Sequence, residues 1–206
     1  MKNLLDINDL KKRTDVNPID VVKSGPSDEN RNHILSLLNE CSDALNRSCR
    51  PGHITGSSVV LDPSGSRVLL MFHTKLERWL QPGGHADDDG DLARVALREA
   101  IEETGIQDLL ISEPPIDFDI HLVEPPDEDP HKHYDVRYLV LASAGSKIIG
   151  NHESQDLRWF KFGELDSLGI DSGLARLIKR GLNRLETLGV SDNFKNQLGL
   201  NTFPYH

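Results

Sequence analysis

Apolar positions along the chain switch between a helical and a strand period. Ile34, Leu35, Leu37, Leu38, Cys41 and Leu45 recur three and four apart, the spacing of one helix face. Ser27 offers this run an N-cap, and Leu4-Leu5 with Ile7 and Leu10 predicts a shorter helix before it. Gly25-Pro26-Ser27 separates the two, and the Arg50-Pro51-Gly52 turn ends the segment. Residues 1–50 therefore read as a helical accessory segment.

From His53 the period becomes that of strands. Ser57–Leu61 predicts one strand, Asp62-Pro63-Ser64-Gly65 a turn, and Arg67–Phe72 the hairpin partner. Pro82-Gly83-Gly84 breaks the pattern before a helix over about Asp91–Thr104, which Gly105 stops. Strands follow at Ile116–Val123, Tyr134–Ala142 and Leu157–Phe162, then an amphipathic helix at about Leu174–Leu188. Strands interleaved with helices give an α/β architecture, a mixed sheet between helices. It occupies residues 51–190 and leaves 191–206 as a tail. Trp79 and Trp159 stand in apolar strand contexts and are expected to pack in the core.

Composition narrows the function. A chain of 206 residues with 37% hydrophobic content suits one domain with an appended segment, and no apolar run is long enough to cross a membrane. Met1–Asp6 acquires charge at once, unlike a signal peptide, so a cytoplasmic location is expected. Cys41 and Cys49 then read as free thiols in a reducing compartment. The net charge of −10 disfavours nucleic acid as a partner. A phosphate-bearing small molecule stays admissible if divalent cations stand between it and the protein's carboxylates.

The stretch Gly83–Ile106 offers such carboxylates. On a helix, Glu99, Glu102 and Glu103 share a face while Leu97, Ala100 and Ile101 turn inward. Three carboxylates so close repel one another and form a natural cage for hard divalent cations. Arg98 can pin one of them through a bidentate pair. Alone, Glu-x-x-Glu-Glu has a plainer reading, a solvated acidic face. The Gly-Gly turn, the Arg-Glu and Glu-Glu pairs and the closing Gly-Ile make a far more specific string.

That string resembles the Nudix box. Arg98-Glu99-Ala100-Ile101-Glu102-Glu103-Thr104-Gly105-Ile106 matches in place, with Gly84 fourteen residues before Arg98. Just ahead, Arg78-Trp79-Leu80-Gln81-Pro82-Gly83-Gly84-His85 resembles a bacterial subgroup of that family. The resemblance implies a Nudix-type α/β/α sandwich and a nucleotide-like small substrate. The reaction it implies is hydrolysis of a diphosphate linkage in a nucleotide sugar, a dinucleotide or a nucleoside triphosphate. It further implies Mg²⁺ or Mn²⁺ held by Glu99, Glu102, Glu103 and Gly84, with Arg98 beside them and Glu153 as a later carboxylate acting as ligand or base. Self-association is common in the family, so a homodimer is expected. One position departs: Gly90 stands where the box has a Glu that usually pairs with its Arg, and Asp89 or Asp91 is expected to substitute.

A non-catalytic nucleotide-ligand sensor on the same fold is the alternative, although such modules often lose box carboxylates and this chain keeps its trio. Isopentenyl diphosphate isomerase chemistry needs an active-site Cys, and both cysteines precede the predicted core sheet. Decapping would ask for a basic RNA surface that the net charge does not advertise.

A second group has strand spacing. Asp119 with His121, and His133 with Asp135 and Arg137, could line one surface, and His131 stands in the same run. Substrate contact by His133 and Arg137 is one reading and an imidazole metal site another. Ordinary strand polarity, with each His paired to a nearby Asp, is preferred over metal binding. His85, Lys75 and Arg78 complete the substrate candidates around the glycine turn.

Overall fold

The computed structural model describes residues 4–74, 76–125, 128–143, 146–149 and 154–189. Its elements in chain order are β1 (Leu4–Leu5), α1 (Ile7–Lys11), α2 (Pro18–Ser24), α3 (Glu29–Glu40), β2 (Gly52–Leu61), β3 (Arg67–His73), β4 (Arg78–Leu80) and β5 (Gly83–His85). They continue with α4 (Leu92–Thr104), β6 (Leu110–Val123), β7 (His131–Leu141), β8 (Ser154–Lys161), a 3₁₀ turn at Phe162–Leu168 and α5 (Ser172–Thr187).

The spine is β2. It runs parallel to β7 from Gly52 opposite Lys132 to Leu61 opposite Leu141. Its other edge is shared, Thr55–Ser57 pairing with β5 and Val60–Leu61 with β3, both antiparallel. The sheet then extends through β6 to β1 on one side and from β3 to β4 and β8 on the other. Because strand side chains alternate, β2 feeds two cores. Ile54 and Val60 join Val136, Tyr138 and the inner residues of α4, whereas Val59 and Leu61 join Leu139, Leu141 and α5. Helices therefore cover both faces, as the expected α/β/α sandwich requires. On α5, Leu174, Leu177, Ile178, Leu182 and Leu185 are buried, at about 1.5–3 kcal/mol each.

The segment before β2 is helical, with differences in detail. Leu4-Leu5 does not begin a helix; it pairs with Ile111 and Ser112 at the edge of β6, satisfying backbone groups that an open edge leaves unpaired. A helix not expected from apolar spacing, α2, is set by local chemistry: Asn17 caps it and Pro18 opens its first turn. The cap of α3 is Asp28, not Ser27. Leu10, Val22 and Ile34 are fully buried in the core that also contains α4. Cys41 and Cys49 are free thiols, and burial with a hydrogen bond to Cys41 pushes Cys49 up to about 12. Trp79 packs edge-on against Phe72 and Phe160, as a core aromatic should. The expected 191–206 tail lies outside the described residues.

β2 and β7 are longer than their apolar runs because their first residues carry a buried polar row. His53, Thr55 and Ser57 alternate on β2 beside His131, Asp135 and Arg137 on β7, and all six are buried. Hydrophobic periodicity cannot register such a row.

Candidate active site

The glycine turn and the carboxylate helix are brought together by β5 and α4. Asp91 caps α4, its Oδ1 accepting from the Arg94 N–H at 3.2 Å, and Gly105 ends it in the left-handed region at φ 72°. In the intervening loop Asp87 and Asp88 also have positive φ, 49° and 67°. Contacts with the N-terminal segment hold that shape: Arg47 donates to both Asp87 oxygens at 2.7 and 2.8 Å, Asn46 donates to Asp88 Oδ2 at 3.0 Å, and the Asp88 N–H donates to the Leu45 carbonyl at 3.2 Å.

Two box glutamates converge on the turn. The Gly83 N–H donates to Glu103 Oε2 at 2.9 Å. At Gly84 a Cβ would lie 2.4 Å from Glu99 Oε2, so any side chain there would expel the carboxylate. Glu102 is exposed on the same helix. Burial raises the pKa of Glu99, Arg98 partly offsets this, and the charges of Glu102 and Asp87 add to the rise. A half-buried carboxylate among other carboxylates is an oxygen-donor set of the kind that suits a hard divalent cation. The set Glu99, Glu102 and Glu103 with the Gly84 backbone can accommodate one.

The partner expected for Arg98 is corrected. Arg98 donates to Glu99 Oε1 at 2.8 Å and to the His85 carbonyl at 3.0 Å, tying the helix to the residue after the turn. Asp89 is taken by Arg94 in a two-pronged pair at 2.6 and 2.7 Å, and Asp91 caps α4 through Oδ1 while its Oδ2 lies 3.7 Å from Arg13. Gly90 has its own reason. A Cβ there would stand 2.5 Å from the Val16 carbonyl, so the passage of the N-terminal segment excludes the box Glu.

Substrate contact by Arg137 is also corrected. Its side chain is buried, donating to Asp135 at 2.8 Å, Asp119 at 3.0 Å and the Gly173 carbonyl at 3.2 Å. It locks β6, β7 and α5 together, its hydrogen bonds running to protein carboxylates and a backbone carbonyl. His121 follows the plainer expectation, its Nδ1 3.1 Å from Asp119 Oδ2. Arg78 is exposed on β4, 3.6 Å from Asp171. Lys75 and Glu153 lie outside the described residues. His85 and His133 meet, ring centroids 5.3 Å apart, and His53 joins both at 5.0 and 4.9 Å. Reading the sequence missed His53, because its nearness to His133 comes from a parallel pairing across 80 residues.

The sheet between helical layers, with an Arg-Glu and Glu-Glu helix behind a Gly-Gly turn, defines an α/β/α sandwich of the Nudix type. Residues 52–181, more than half of the chain, match the family model of the NUDIX domain. The chain belongs to the Nudix family of hydrolases. The fold is similar to that of a C. elegans Ap4A hydrolase in a binary complex, at 20% identity and TM-score 0.52, covering 65% of this chain and 98% of that one. It is similar also to a Nudix-family hydrolase from Clostridium perfringens, at 22% identity and TM-score 0.52, covering 66% and 97%. The NUDIX domain of Shewanella oneidensis NrtR complexed with ADP ribose gives 18% identity and TM-score 0.50, covering 71% and 98%. At these identities the likeness is one of fold. No curated protein matches the sequence. Among the described residues no helix is long and apolar enough to cross a membrane.

Proposed function

We propose that this Nudix hydrolase cleaves a diphosphate linkage in a nucleoside diphosphate derivative, with Glu99, Glu102, Glu103 and the Gly84 backbone holding Mg²⁺ or Mn²⁺. The observation that carries the reading is the convergence of Glu99 and Glu103 on Gly83-Gly84. Each residue has a defined task. Arg98 holds the Glu99 carboxylate against the turn and keeps it from swinging into solvent. The Gly83 N–H orients Glu103. Glu102, exposed beside them, is the carboxylate most open to an arriving substrate. A divalent ion bound there would neutralise charge on the diphosphate oxygens and lower the pKa of a bound water. The chain's own contribution is positioning and electrostatic preorganisation for in-line attack at phosphorus. Glu153 is retained as a candidate base or further ligand.

The similar folds include one crystallised as an Ap4A hydrolase and one with ADP ribose bound, and both compounds fall in the proposed class. The test is a panel of nucleotide sugars, dinucleotides and nucleoside triphosphates, incubated with Mg²⁺ or Mn²⁺ and resolved by product. Release of a nucleoside monophosphate that stops with chelator supports the reading. Tight binding of a nucleotide without turnover would replace it with the sensor alternative. Self-association belongs to the same proposal, and light scattering of the full chain checks it.

A further inference from the structure

Beside the carboxylate cradle lies a second cluster of different chemistry. His53 stands on β2 directly opposite His133 on β7, and His131 is two residues along the same face of β7. One ring nitrogen from each of these three residues lies within 4.8 Å of the other two. His53 is 1% exposed, and neither of its nitrogens has a hydrogen-bond partner among the described residues. A fully buried polar ring with both nitrogens unanswered is rare in folded proteins and calls for a ligand.

The neighbouring rings are prepared for the same ligand. His131 Nδ1 lies 2.8 Å from the Asp129 carbonyl, which can only accept. In the neutral ring Nδ1 therefore carries the proton, and Nε2 keeps its lone pair for a metal. A carbonyl behind a histidine in this way is the usual support of a metal-bound imidazole. His85 closes the group, its centroid 5.0 Å from His53 and 5.3 Å from His133.

We infer that His53, His131 and His133 form a binding site for a borderline divalent transition ion, of which Zn²⁺ is the type, with His85 over the fourth position. Imidazole donors select such ions over Mg²⁺, which prefers the oxygen donors of the box. Zn–N bonds of about 2.0–2.1 Å draw tetrahedral ligands to roughly 3.4 Å apart. Binding would draw the three nitrogens together from their present spacing, within 4.8 Å of one another. Three protein ligands with a fourth place for water, substrate oxygen or His85 resemble catalytic zinc sites more than closed structural ones. The site is also joined to the box, because the His85 carbonyl accepts from Arg98.

The test uses the full chain stripped with chelator. It is titrated with ZnCl₂ alone by calorimetry and with Co²⁺ alone by visible absorption, Mg²⁺ being kept in excess. The expected result is one equivalent per chain and an intense tetrahedral Co²⁺ spectrum. His131→Ala and His133→Asn should each weaken uptake by about 10–100-fold. Glu102→Gln should bind Zn²⁺ as the wild type does, which separates this site from the cradle whether or not hydrolysis is found. Absence of uptake by the wild type overturns the inference and needs no variant to fold. Uptake that survives both histidine substitutions, or that is lost in Glu102→Gln, overturns it equally.

Discussion

The carbonyl oxygen of Val16 lies 2.5 Å from the point where a Cβ on Gly90 would sit. The N-terminal segment and the departure from the family's box are thus one feature. The chain passes over the place where the box Glu would stand, and Arg98 turns to Glu99 and the His85 carbonyl. Restoring the family residue should therefore harm the protein. Gly90→Glu is expected to lower unfolding free energy by about 1–3 kcal/mol, the usual cost of overpacking. Chemical denaturation checks it, and a variant as stable as the wild type would mean that the segment yields freely.

Arg98 touches no reacting atom in this arrangement and acts through Glu99. Arg98→Lys keeps the charge and loses the fork that reaches a carboxylate and a carbonyl together. Turnover of whichever panel compound is cleaved should fall about 10–100-fold, as for other residues that orient metal ligands. Part of the loss should be recovered by raising Mg²⁺. A loss that no Mg²⁺ concentration relieves would place Arg98 on the substrate instead.

Much of this was legible beforehand. The box helix, its stop at Gly105 and the amphipathic α5 follow from local spacing and capping, which one sequence displays in full. Glu99 and Glu103 were legible too, because helix periodicity fixes which residues share a face. What stayed hidden depends on contacts between distant segments. The pairing that sets His53 beside His133 is parallel and long-range. Arg137 read as a substrate contact because its carboxylate partners on β6 come from another strand. The partner of Arg98 was misread because Arg94, one turn earlier, outcompetes it for Asp89.

The buried Arg137 network carries a pH signature. Burial pushes Asp119 up, but its hydrogen bond with His121 and the charges of Arg137 and Arg176 outweigh this and hold it well below the ordinary 3.8. A depressed carboxylate stabilises the fold above 3.8, and that contribution drains away as pH falls below it. Asp117 works in the opposite sense, since burial raises its pKa. The measurement is therefore the difference in unfolding free energy between wild type and Asp119→Asn. It should be largest near neutrality and shrink as pH drops through 4 toward 2. Parallel curves would remove Asp119 from the network's energetics.

The glycine turn and box carboxylates meet most directly in Glu102→Gln and Glu103→Gln. Glutamine keeps an oxygen to accept from the Gly83 N–H at position 103, so folding should survive while a ligand charge is lost. Nucleoside monophosphate release with Mg²⁺ is the quantity to measure. If the cradle is the catalytic centre, each variant loses about 100-fold or more in kcat, in line with the several kcal/mol attributed to metal-assisted charge stabilisation. Undiminished Mg²⁺-dependent hydrolysis in both would contradict it.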